Sequence, residues 1–137
     1  MSLQDLVTKY YTQGNYNCSE TLIHAANEYY HLNITDDDMR MFGGFGSGMY
    51  SGIVCGAMVA NVAILSKMVI KNKAKEETKQ ILPVINQMVK DFREHLQGDS
   101  CKELRPKYFT PETSCLKTVL LASEVLEKAV NDLGDVG

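Results

Sequence analysis

Apolar residues recur every three to four positions along most of the chain, the period of a helix with one buried face. In residues 3–13, Leu3, Leu6, Val7 and Tyr10 share a face, and Gly14 ends the run. Residues 18–31 repeat the pattern with Leu22, Ile23, Ala26, Tyr29 and Tyr30. Thr35, followed by Asp36, Asp37 and Asp38, predicts a short helix. Its hydroxyl can cap free N–H groups, and the carboxylates suit the positive end of the helix dipole. A core helix is expected over about 52–70, then an amphipathic segment over 74–97 carrying Ile81, Leu82, Ile85, Met88, Val89, Phe92 and Leu96. Pro83 lies inside that segment and predicts a kink or break, because it lacks an N–H and crowds the preceding turn. After Gly98 come a short helical turn stopped by Pro106 and a last helix from Thr110 to about Leu133, ended by Gly134. No run alternates with period two for long enough to make a strand. The expectation is an all-α, single-domain bundle of about five to six helices over residues 1–137, with a glycine-rich loop before the central core helix.

Composition narrows the function classes. The 137 residues suffice for one domain with a core, and 45% apolar with 23% charged residues is ordinary for a water-soluble protein. A net charge of −3 argues against a nucleic-acid partner, which normally meets a basic face. The lysines between Lys67 and Lys79 are interrupted by Glu76 and Glu77 and read as a solvated helix face. The most apolar run, Gly52 to Leu65, is broken by Asn61 and is too short for a membrane span. The first residues carry no secretory signal pattern. A cytoplasmic location follows as an expectation, and structural disulfides are rare there.

Four cysteines in such a chain therefore need another role. Cys18, Cys55, Cys101 and Cys115 are widely separated, and no Cys-x-x-Cys is present, so neither a thioredoxin motif nor a zinc ribbon is written here. Asn17-Cys18-Ser19-Glu20 and Ser100-Cys101-Lys102-Glu103 both have the form of a capping box, with a cysteine as first helical residue. If Ser51 or Gly52 starts the core helix, Cys55 falls in its first turn. Thr110-Pro111 marks a further helix start, with Cys115 just over one turn inside. At helix N-termini, partial positive charge and free N–H groups favour the thiolate, which is both the sulfur nucleophile and the metal ligand. The expectation is four thiols of lowered pKa.

Gly43 to Gly52 holds five glycines in ten residues. No strand precedes it, no Gly-Lys-Ser/Thr closes it, and Met49 stands where a dinucleotide loop needs its third glycine, so phosphate binding is not indicated. Gly44, Gly46, Gly48 and Gly56 instead suit close passage of the backbone past a metal, a cofactor or the partner cysteines, or tight helix packing. His24, His31 and His95 show no ligand spacing and read as surface or cap residues. Neither a Ser-His-Asp arrangement nor a paired-carboxylate signature is identifiable.

At these positions the chain resembles the family of redox-active proteins named for the pattern C_GCAxxG_C_C. The first cysteine stands in Asn17-Cys18-Ser19-Glu20, and Gly43-Gly44-Phe45-Gly46-Ser47-Gly48-Met49 supplies the glycine-rich stretch before the second. Cys55-Gly56-Ala57-Met58-Val59-Ala60 fills the central element, with Ala60 in place of its closing glycine. Phe92, Gly98, Cys101 and Leu104 resemble the third segment, and Cys115, Val119 and Ala122 the last. The resemblance implies redox activity carried by the four cysteines and supplies no substrate.

Three readings stay open on the sequence. The first is thiol–disulfide or electron transfer with an unknown redox partner, Cys18 and Cys101 as thiolates and Cys55 brought to them by the loop. The second is a metal ion or iron–sulfur cluster held by all four thiolates, the usual ligand count for zinc and for both common clusters. The third is a non-catalytic module, such as a homodimer contacting through the glycine loop and Met49-Tyr50.

Overall fold

Helix starts in this chain are written by short polar side chains that take up otherwise unpaired N–H groups. The computed structural model describes residues 1–134. Ser2, Asn17 and Ser100 each accept from the backbone three residues on, while Asp5, Glu20 and Glu103 reach back to the cap N–H. These three capping boxes open α1 (Leu3–Thr12), α2 (Cys18–Tyr30) and α6 (Cys101–Tyr108). Thr35 caps the single turn α3 (Asp36–Met39). The core helix α4 spans Gly56–Val69, α5 Thr78–Leu96 and α7 Leu116–Leu133. Before α5, the Glu77 carboxylate accepts from the N–H groups of Lys71, Asn72 and Lys73 at 2.7–2.8 Å, which fixes the turn after α4.

The all-α expectation holds, with seven α-helices rather than five or six among the described residues. No strand forms there; two isolated bridges, Val54 with Ser100 and Thr110 with Ser114, are the extended pairings. Three boundaries differ from the sequence reading. The core helix starts at Gly56, because a left-handed stretch precedes it. Pro83 and Pro106 sit inside α5 and α6 without ending either. Each removes one hydrogen bond, and the buried Met88, Phe92 and Leu96 of α5 and Leu104 of α6 hold the helices in place. The last helix starts at Leu116 rather than Thr110. Thr110 and Ser114 exchange both backbone hydrogen bonds, and Ser114 has φ 52°, so the chain closes a turn there before the helix begins.

The core lies between α4, α5 and α7, with α1 and α2 closing one side. Leu22, Ile64, Leu65, Met88, Phe92 and Leu126 are fully buried within it. Asn61 is one of several buried polar residues: its Nδ2 donates to the Ala122 carbonyl at 3.1 Å and ties α4 to α7. Phe92→Ala is expected to cost about 3–5 kcal/mol, read as a lowered urea midpoint at unchanged slope. No helix among the described residues is long and apolar enough to cross a membrane.

Candidate functional site

All four cysteines stand at helix N-termini. Cys18 and Cys101 are the first residues of α2 and α6, while Cys55 and Cys115 are the N-caps of α4 and α7. Cys55 and Cys115 thus lie just outside their helices, a correction to the first-turn and inside-the-helix positions expected above.

Backbone pairing brings two of these starts side by side. The Cys55 N–H donates to the Asp99 carbonyl at 2.8 Å, and the Cys101 N–H donates to the Ile53 carbonyl at 2.7 Å. The loop ahead of α4 does the rest. Arg40–Phe45 forms a 3-10 turn, and Ser47, Gly48, Met49 and Tyr50 then run left-handed, with φ of 52°, 61°, 61° and 54°. Three of these are not glycine, and a left-handed conformation costs an L-residue about 1–2 kcal/mol. Such strain persists only where neighbours over-determine it. Two of the neighbours are cysteines: the Ser47 amide faces Cys18, and Gly48 lies against Cys101.

Three glycines are explained by what surrounds them. A side chain at Gly48 would come within 2.8 Å of Cys101 Cβ, and Gly48 also needs its positive φ. One at Gly56 would meet the Phe45 carbonyl oxygen and reach within 2.9 Å of Cys18 Sγ. One at Gly46 would strike the side chain of Asn17. Gly44 faces open space. Asn17 does double duty, since its Nδ2 donates to the Gly43 carbonyl at 2.9 Å while its Oδ1 caps α2. The residue beside Cys18 is therefore also a latch on the loop.

The thiols act on one another's protonation, and burial reverses the expectation of lowered pKa values for three of them. Cys55 is pushed up to about 12, first by burial and then by the charge of Cys18; the Ala57 and Met58 amides pull the other way and Cys101 adds to the rise. Cys18 is raised by burial, with Cys115 and Cys101 contributing, against the Ser47 amide. Cys115 is raised by burial and Cys101, opposed by Arg105 and the Tyr11 hydroxyl. Helix N-termini are present as expected, but loss of water outweighs them.

The shifts have one sign for stability. A thiol that keeps its proton in the folded chain but releases it in the unfolded chain weakens folding as pH rises. For Cys55 the window runs from its ordinary 9.0 to about 12. Stability is expected to fall with pH across that window, and to fall less in Cys55→Ala. Equal declines in the two proteins, measured by denaturant unfolding, would contradict the assignment.

Tyr11 and Arg105 were not singled out from the sequence. The Tyr11 hydroxyl accepts the Cys115 N–H at 2.9 Å across the length of the chain, a contact no local pattern signals. Tyr11→Phe is expected to cost about 1–3 kcal/mol by orphaning that N–H, and to raise the Cys115 pKa further; alkylation rate against pH, with the site identified by mass, measures the second effect. Arg105 was more accessible to inference, lying one turn after Cys101 on the same helix face. Its guanidinium stacks on Phe109 with 4.2 Å to the ring centroid. His24, expected at the surface, is instead largely buried and stacks on Tyr16 at 4.1 Å between centroids.

A family model described as "Putative redox-active protein (C_GCAxxG_C_C)" matches residues 16–129. The chain belongs to this family. The match takes in all four cysteines and the whole glycine loop of this C_GCAxxG_C_C member, and it leaves out α1, which supplies Tyr11. Comparison with curated proteins and with solved structures returned no match.

The metal reading meets a geometric objection. Among the described residues, no group of three or more His, Cys, Asp or Glu side chains is placed to hold a metal ion. As arranged, the four thiols do not fit a zinc or iron–sulfur ligand set, which needs its sulfurs converging on one centre. Cys101, half-buried like Cys18 and Cys115, lines a surface cavity of about 640 Å³ together with Tyr50, Lys102, Arg105 and Phe109.

Proposed function

We propose that this protein performs thiol–disulfide exchange, with Cys101 as the thiol that meets the partner and Cys115 as the one that resolves the intermediate. The observation that carries this reading is the placing of four thiols at four helix starts, where they act on one another's protonation and one of them lines a cavity. Cys101 as thiolate attacks one sulfur of a partner disulfide. That S–S bond breaks, a Cys101–partner mixed disulfide forms, and the first partner thiolate leaves with the electron pair. Cys115, losing its proton, then attacks the Cys101 sulfur and releases the second partner thiolate. The chain gives up two electrons and two protons, and the partner disulfide becomes two thiols. Run backwards, the same steps reduce the chain.

Cys18 and Cys55 form the buried half of the cluster. Their raised pKa values keep them protonated at neutral pH, so they stay reduced while the outer pair cycles. Equilibration in dithiothreitol buffers of graded potential tests the proposal. A reversible two-electron transition that disappears in Cys101→Ser is expected. No transition anywhere between full reduction and full oxidation would sink it.

Exposure of Tyr50 (72%), Ile53 and Val54 favours a second reading, in which the glycine loop is a binding surface. Partner capture should then survive replacement of all four cysteines by serine.

A further inference from the structure

The cavity that Cys101 opens onto has a chemistry of its own. Its volume of about 640 Å³ falls within the range that holds a small molecule. Lys102 and Arg105 flank the thiol on the first turns of α6, both exposed. Among the described residues neither takes part in an ion pair. Two unpaired cations thus stand beside the Cys101 thiol in a chain of net charge −3. Arg105 is moreover held in place by its stack on Phe109, so its charge stands fixed at the rim. That charge is felt inside the cluster, where it favours the Cys115 thiolate. Tyr50 and Phe109 give the cavity apolar walls.

Resting on the thiol–disulfide reading above, we infer that the partner is a small disulfide bearing carboxylates, held by Lys102 and Arg105 with its sulfur against Cys101. The cations bind the acid groups, the aromatic walls cover the aliphatic carbons, and the bound disulfide presents an S–S bond to the thiol. The same two cations stabilise the departing thiolate after the bond breaks. Exchange then follows the two steps already given, and two carboxylate-bearing thiols leave.

Three aliphatic disulfides of different charge separate the possibilities, each rate being divided by that of the same disulfide with dithiothreitol so that leaving-group differences cancel: 3,3′-dithiodipropionate as the dianion, bis(2-hydroxyethyl) disulfide as the neutral probe and cystamine as the dication. Fully reduced protein is mixed with each, and thiol loss is followed by stopped flow at low and raised ionic strength. The expected order is dianion, neutral, dication, with about tenfold between the dianion and the neutral compound at low salt and a smaller ratio at high salt. In Lys102→Gln/Arg105→Gln the dianion-to-neutral ratio falls toward one, while Lys79→Gln, on α5, keeps it. Matching rates for all three disulfides, or a ratio unmoved by the double substitution, would overturn the inference while leaving exchange itself intact. Failure of all three probes to react overturns the exchange reading instead. Both variants change exposed residues, and a thermal melt verifies that each is folded before its rates are compared.

Discussion

Cys101→Ser is expected to slow oxidation of the reduced chain by a small disulfide by on the order of a thousandfold or more, the usual consequence of removing a nucleophile outright. The size of the effect follows from access. Cys55 is buried, Cys18 and Cys115 are half-buried, and of the four it is Cys101 that lines the cavity. A hydroxyl in its place is isosteric enough to keep the Ser100 capping box, so the fold should persist. Cys115→Ser has a different signature. Attack by Cys101 still proceeds, but the mixed disulfide cannot be resolved and accumulates, visible as a mass increase equal to one half of the probe. Equal loss of rate in both variants, with no trapped adduct, would show that Cys115 does not follow Cys101.

The second large effect is on the scaffold. Gly56→Ala is expected to destabilise by about 1–3 kcal/mol, toward the upper end, because the added methyl meets the Phe45 carbonyl as well as a sulfur. A side-chain tip could rotate away; a backbone oxygen in the loop and the thiol of Cys18 have no such freedom. The collision also displaces Cys18 from the Ser47 amide, so its reactivity toward an alkylating agent should change along with stability. Gly44→Ala is the control. It faces open space and its φ is not positive, so a change within about 0.5 kcal/mol is expected. The glycine loop would then divide into positions that the cysteine cluster requires and positions that it does not.

How much of this could be read in the sequence depends on the range of the signal. The capping boxes at Asn17 and Ser100 are complete within four residues, and the helices they predict begin where expected, with Cys18 and Cys101 in first position. The start of α4 was not legible. It depends on a run of left-handed residues, Ser47 to Tyr50, that no propensity favours, with Gly48 of that run packed against Cys101. Thr110-Pro111 carries a sound local helix-start signal, yet the Thr110–Ser114 turn overrides it, and Cys115 moves from inside a helix to its cap. The thiol pKa values are not legible in the sequence for a similar reason. Position at a helix terminus is visible in sequence, whereas burial, which outweighs it for Cys18, Cys55 and Cys115, is a property of the assembled bundle. Tyr11 was invisible because its partner, Cys115, lies near the other end of the chain. What the sequence did carry was the choice of residues: the four cysteines and the glycines now found packed against them.

The central claim is that the cluster cycles between dithiol and disulfide. Protein purified without oxygen, treated with dithiothreitol or with a mild disulfide oxidant and then alkylated in denaturant, yields a thiol count from its intact mass. The account predicts four alkylated cysteines after reduction, two fewer after oxidation with Cys101 and Cys115 the protected pair, and four again once the reductant is restored. Four alkylated cysteines under both conditions would contradict it.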